Sequence, residues 1–278
     1  MDVAPFGTIY AQPAVGFPRS VTVIEIPLLK IIVAFLAISV RITGLLLFAP
    51  FFGSMSVSPQ IKAGLVVAFS VLLYPIASRR LMTLDLGHWP AVVVGELLIG
   101  AAMGIATNLV FDAVQMAGQV LSIQMGFSLA TLLDPQTQAD STVVAMFHQT
   151  IAMLIFLRMD VHLWLLEAIG RSFELLPPGA MHLTAAFTML AVRAGGEVFV
   201  LGLQMAAPVF SATLLTDFAL GLLGRASPNM PLMLLGPPVK MLLGLAVLFA
   251  ALKYWPAMLA NFFESSMNLS NHLLLVAR

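Results

Sequence analysis

Apolar residues run along this chain in long blocks, and the polar positions between them mark out its elements. Val21 to Phe52 is apolar and long enough to cross about 30 Å of hydrocarbon, although Glu25, Lys30 and Arg41 interrupt it, the arginine deep within the run. A break from Gly53 to Pro59 precedes a second segment, Ile61 to Ala77, which ends at Ser78, Arg79 and Arg80. Pro90 opens the longest run, and nothing breaks it strongly before Gly126 on the way to Leu133. Val143 to Leu157 and Val161 to Ile169 are each too short to span a bilayer comfortably, so they read as a helical hairpin or one interrupted helix. Leu176-Pro177-Pro178-Gly179 punctuates the second half. Beyond it lie Leu183 to Leu223, where Pro208 predicts a kink, and Leu232 to Leu252, interrupted by Pro237, Pro238 and Lys240. The tail is amphipathic, with Phe262, Met267, Leu269 and Leu273 set among Glu264, Asn268, Asn271 and His272. Residues 1–20 hold three prolines and no basic leader, which predicts a loose N-terminal arm rather than a cleaved signal peptide.

The stretch Gln124 to Ser141 is unlike its surroundings. Asp134-Pro135 sets a helix boundary, because proline lacks the N–H and biases the residue before it away from the helical region. Gly126 allows a sharp bend, and Ser128 and Thr131 can bond their own backbone. Met125, Phe127, Leu129, Ala130, Leu132 and Leu133 keep the segment apolar. Such irregular backbone is tolerated at membrane depth only where protein buries it or where it lines a cavity, which is the physical description of a plug or re-entrant element.

Upstream, Gly100 and Gly104 form a Gly-x-x-x-Gly pair suited to close helix approach. Asn108, Asp112, Gln115 and Gln119 follow at steps of four, three and four, which places them on one helical face. A polar stripe in apolar sequence needs partners or water, so it is either a hydrogen-bonding seam between helices, as at a subunit interface, or a lumen lining. Glu96, Arg193, Glu197 and Asp217 add buried charges, and Arg193 and Glu197, four apart, can pair.

Composition agrees with an integral membrane protein or a subunit buried in a hydrophobic assembly: 60% of residues are hydrophobic and 9% charged, against roughly a quarter charged in soluble domains. Net charge is zero, which leaves no basic face for nucleic acid. Without cysteine there are no disulfides or thiolate sites, and the five histidines show no His-Glu-x-x-His spacing. The Gly-x-Ser-x-Gly elbow and the phosphate-binding loop are missing too. These observations predict a protein that is not an enzyme and has no cofactor and no metal.

Glu96 to Gly104, Asn108 to Gly118, and Gln124 to Thr131 with Asp134-Pro135 resemble the signature region of the FliR family, the flagellar type III export-gate subunits. Ala49-Pro50, His162-Leu163-Trp164-Leu165, Leu175-Leu176-Pro177, Ala219 to Arg225 and Pro228 extend the resemblance over all but the first two dozen residues and the extreme C-terminus. It implies an all-α integral membrane-type fold of kinked and re-entrant helical hairpins. After the arm at 1–20, a FliP-like helical part over 21–180 would be followed by a FliQ-like hairpin and amphipathic tail over 181–278. Residues 125–141 would be the plug loop. Implied partners are FliP-like and FliQ-like gate subunits, FlhB-like and FlhA-like export components, unfolded flagellar substrates and membrane lipid, at the flagellar basal body in the bacterial inner membrane. The hydrophobic segments of such a gate need not all cross the bilayer in the usual way. Nothing follows Arg278, so fusion to an FlhB-like switch protein is not expected. The alternative from the residues alone is a small-solute or ion secondary transporter using its buried carboxylates.

Overall fold

A computed structural model describes residues 27–50, 52–53, 57–78, 89–127, 143–227 and 232–277. Among them the regular structure is helical: α1 (Pro27–Phe48), α2 (Pro59–Ala77), α3 (Trp89–Gln124), α4 (Val143–Arg158), α5 (Val161–Leu175), α6 (Ala185–Ala226), α7 (Leu232–Ala251) and α8 (Trp255–Val276). Five stretches are long and apolar enough to cross a membrane: Ile31–Phe48, Pro59–Ala77, Trp89–Gln124, Ala185–Ala226 and Leu235–Val276. The chain is an all-α membrane protein.

Local chemistry sets the helix ends. Pro59 stands in the first turn of α2, where its missing N–H costs nothing. The Thr184 side chain caps α6 by accepting from the Phe187 N–H at 3.1 Å. Asp160 takes the left-handed region (φ 56°) and separates α4 from α5, so the two apolar pieces on either side of Arg158–Asp160 are distinct helices. The expected interruption at Pro237 and Pro238 differs from what is found: α7 runs through both as one helix, and α6 likewise continues through Pro208. In a long helix packed on neighbours, the hydrogen bond lost at one proline is a small part of what holds the helix.

Helix α3 is the axis, packing against α1, α4, α6 and α8. Against α1 the backbones nearly touch. A side chain at Gly104 would meet the Leu45 carbonyl at 2.7 Å and the Ala49 nitrogen at 3.0 Å, and one at Gly100 would run into the Arg41 carbonyl. The Gly-x-x-x-Gly pair therefore serves close helix approach. One apolar core surrounds the C-terminal half of α3, where Phe111, Phe156 and Phe263 meet edge-on or tilted with centroids 5.5 to 5.8 Å apart. A second core at the other end joins Ile38, Ile42 and Leu45 of α1 to Ile99, Leu165, Ile169, Phe173 and Leu274.

The last three helices fold back as a unit. The His182 N–H donates to the Ala277 carbonyl at 2.9 Å, and the Thr184 hydroxyl to the Val276 carbonyl at 3.0 Å, so the end of α8 returns to the start of α6. Helix α8 buries Trp255, Leu259, Phe262, Phe263, Ser266, Ser270, Leu273 and Leu274, a helical-period stripe, and turns Glu264, Asn268 and His272 outward. At 1.5 Å per residue, α3 extends about 54 Å and α6 about 63 Å, well beyond about 30 Å of hydrocarbon.

Candidate functional site

The central loop leaves α3 through a defined helix end. Gly126 has φ 86°, its N–H donates to the Ile123 carbonyl at 3.1 Å, and the Phe127 N–H reaches the Ser122 carbonyl at 3.0 Å. This pair of bonds is a Schellman motif, with glycine in the left-handed position that other residues adopt only with strain. Gly126 thus stops the helix as well as bending the chain. Met125 is fully buried, and Phe127 packs, partly buried, on the core around Phe111. The rest of the candidate plug, Ser128, Leu129, Ala130, Thr131, Leu132, Leu133, Asp134 and Pro135, lies outside the described residues.

Two turns earlier, the polar stripe occupies one side of α3. Asp112 is exposed, and Asn108, Gln115 and Gln119 are half-buried. The Asn108 amide donates to both oxygens of Asp112, at 3.2 and 3.3 Å. Among the described residues no ion pair forms at Asp112. The opposite side of this helix is sealed, with Ala113, Val114, Ala117 and Leu121 buried.

The charges divide into three situations. Glu96 is fully buried beside an equally buried Arg41, whose Nε donates to Glu96 Oε2 at 2.7 Å. The guanidinium also donates to Ser172 Oγ and to the Leu176 carbonyl, each at 3.0 Å, and lies 4.2 Å above the Phe173 ring centre. Glu96 Oε1 accepts from the Gly179 N–H at 3.1 Å. Four elements are tied by one ion pair, α1, α3, α5 and the Leu176–Gly179 turn, and all its directed groups have partners, which is what a buried pair requires. The signal in the sequence was present: opposite charges deep in two apolar runs, beside a Pro-Pro-Gly turn.

Asp217 is half-exposed rather than buried, and the Lys240 ammonium of α7 pairs with it. Sequence spacing did not reveal that pair, because the partner lies on the next helix. Arg193 and Glu197 correct the expectation of buried, paired charges: both are exposed, and among the described residues no ion pair joins them. Their part of α6 has too little of the chain packed on it. Met189, Val192, Phe199 and Val200 around them are also exposed, so hydrophobicity there reports what surrounds the chain, not its own core.

Among the described residues no three His, Asp or Glu side chains gather as a metal site would require. Fold and site together define an all-α membrane protein whose unusual features are helix contacts, a polar stripe and a specialised loop stem. The chain belongs to the bacterial export proteins, family 1, whose family model matches residues 32–266. It is similar to the flagellar biosynthetic protein FliR of Pectobacterium carotovorum subsp. carotovorum, 31% identical over 83% of this chain and 88% of that protein. FliR of Escherichia coli K12 is 29% identical over 82% of this chain and 88% of its own length. For FliR of Bacillus subtilis 168 the figures are 27%, 87% and 94%.

Proposed function

We propose that this chain is a non-enzymatic subunit of the flagellar type III protein export gate, held in the bacterial inner membrane at the flagellar basal body. The match over residues 32–266 to an export family, with FliR relatives aligned over most of both chains, carries the reading. In it, the chain joins FliP-like and FliQ-like subunits to form the secretion channel and supplies the loop that closes it. An FlhB-like protein lies outside the gate, an FlhA-like one below it, and unfolded flagellar proteins pass through. Residues 21–180 take the FliP-like role and 181–278 the FliQ-like one, supported by the way α6, α7 and α8 fold back on themselves.

Closure in this reading needs no chemistry. Phe127, Leu129, Leu132 and Leu133 form a dry constriction, and an ion entering it loses hydration without compensation. Gly126 and Asp134-Pro135 delimit the part that moves when a substrate passes, and Gly126 stands at a positive-φ helix end suited to that role. Asn108, Asp112, Gln115 and Gln119 face a neighbouring subunit or the lumen. The exposed Asp112 supports this, since a carboxylate on an apolar helix is costly against lipid. The pairing of Glu96 with Arg41 and Asp217 with Lys240 favours the gate over a carboxylate-driven transporter.

Deleting residues 126–134 should leave the assembled complex recoverable but leaky to small ions in a planar bilayer or in cells. An assembled mutant with unchanged conductance would overturn the plug assignment.

A further inference from the structure

Three consecutive residues at the end of α3 meet the α6–α7 hairpin at three separate points. Gln124 Nε2 donates to Asp217 Oδ2 of α6 at 3.5 Å, while the other carboxylate oxygen takes the Lys240 ammonium of α7. The Met125 thioether occupies the space that a side chain on Gly244 would need, and the Thr213 methyl stands 3.5 Å from the same position. At Gly126, an added Cβ would meet the Pro237 ring at 3.5 Å. Thr213 and Asp217 are four apart on α6, and Pro237, Lys240 and Gly244 step by three and four on α7. Each helix therefore offers one face to the stem.

We infer that the hairpin is a cradle for the stem of the central loop, and that the Lys240–Asp217–Gln124 bridge is its releasable polar latch. Gly244 is small because Met125 sits on it, and the latch lies one residue before Met125. The position from which the loop departs is thereby set by a part of the chain more than ninety residues further on. The bridge contrasts with Arg41–Glu96. That pair is sealed, whereas the Asp217 and Lys240 side chains are 41% and 22% exposed, so water can compete for the carboxylate when the hairpin shifts. Docking of the stem stands on these contacts alone; its consequence for channel closure rests on the proposed gate function.

The chain has no cysteine, so Met125→Cys with Gly244→Cys creates a single intrachain disulfide reporter. In the full assembly in native membranes, oxidation should cross-link this pair readily. Adding Asp217→Asn or Lys240→Gln should slow cross-linking about five-fold, the factor a weak ion pair can supply. Exchanging the charges, Asp217→Lys with Lys240→Asp, should restore the rate, because the Gln124 amide can accept as well as donate. Cross-linking indifferent to the single changes, or not restored by the exchange, would overturn the latch. If the single variants fail to accumulate, the exchanged pair decides: recovery with normal cross-linking supports the latch, and failure to recover overturns it. A latch-dependent cross-link in a complex whose conductance ignores the loop deletion would leave the latch standing and remove the plug assignment.

Discussion

Arg41 with Glu96, and Arg193 with Glu197, are opposite charges set in apolar sequence, yet the fold treats them in opposite ways. The first pair is sealed where α1, α3 and α5 converge, with hydrogen bonds to Ser172 and Leu176 and from Gly179 completing it. The second stands on an exposed stretch of α6 among exposed Met189, Val192 and Phe199. One pair is completed inside the chain; the other is left exposed by the described residues. An apolar run with a charge in it is therefore ambiguous until the fold shows whether another element of the same chain can reach that charge.

This contrast can be broken by substitution, and the sealed pair should respond most. Glu96→Leu leaves an uncompensated buried guanidinium and should cost about 3–5 kcal/mol. Little folded protein should then be recovered in detergent, whereas Arg41→Met combined with Glu96→Leu should recover most of it. Gly100→Val forces α1 and α3 apart and should destabilise the chain by about 1–3 kcal/mol, read as a lower melting temperature of the purified protein. Smaller again, Gly126→Ala places a side chain at positive φ and should cost about 1–2 kcal/mol, with faster amide exchange confined to the last turn of α3. The exposed charges should barely respond in the isolated chain: Arg193→Ala with Glu197→Ala should leave the melting temperature unchanged while lowering the yield of assembled complex. Asp112→Leu should behave the same way, impairing assembly or secretion without unfolding the chain; normal complex and motility would sink the role given to the stripe.

Most of the helices were legible in the sequence because long apolar blocks end at strong punctuation. Pro59 opens α2, Pro90 stands at the start of α3, and Leu176-Pro177-Pro178-Gly179 follows α5. Proline within a block was less informative. Pro237 and Pro238 suggested an interruption, yet α7 continues through them, because neighbouring helices supply support that a local rule does not count. The steps of Asn108, Asp112, Gln115 and Gln119 placed the stripe on one face, but not how exposed it would be. Gly126 was recognisable as a bend; its Schellman bonds depend on backbone geometry that residue type only permits. Arg41 and Glu96 stood out as opposite charges deep in apolar runs, but no local period connects them; the partner of Asp217 could not be read, since Lys240 lies on the next helix.

The gate reading stands or falls on company. The most direct measurement is purification of the tagged chain from its native membranes in mild detergent, followed by mass spectrometry of what accompanies it. One large complex containing FliP-like and FliQ-like small membrane proteins is the expected result. Recovery of this chain alone as a stable homo-oligomer, active in vesicles without partners, would contradict the account and make transport by its carboxylates the better explanation.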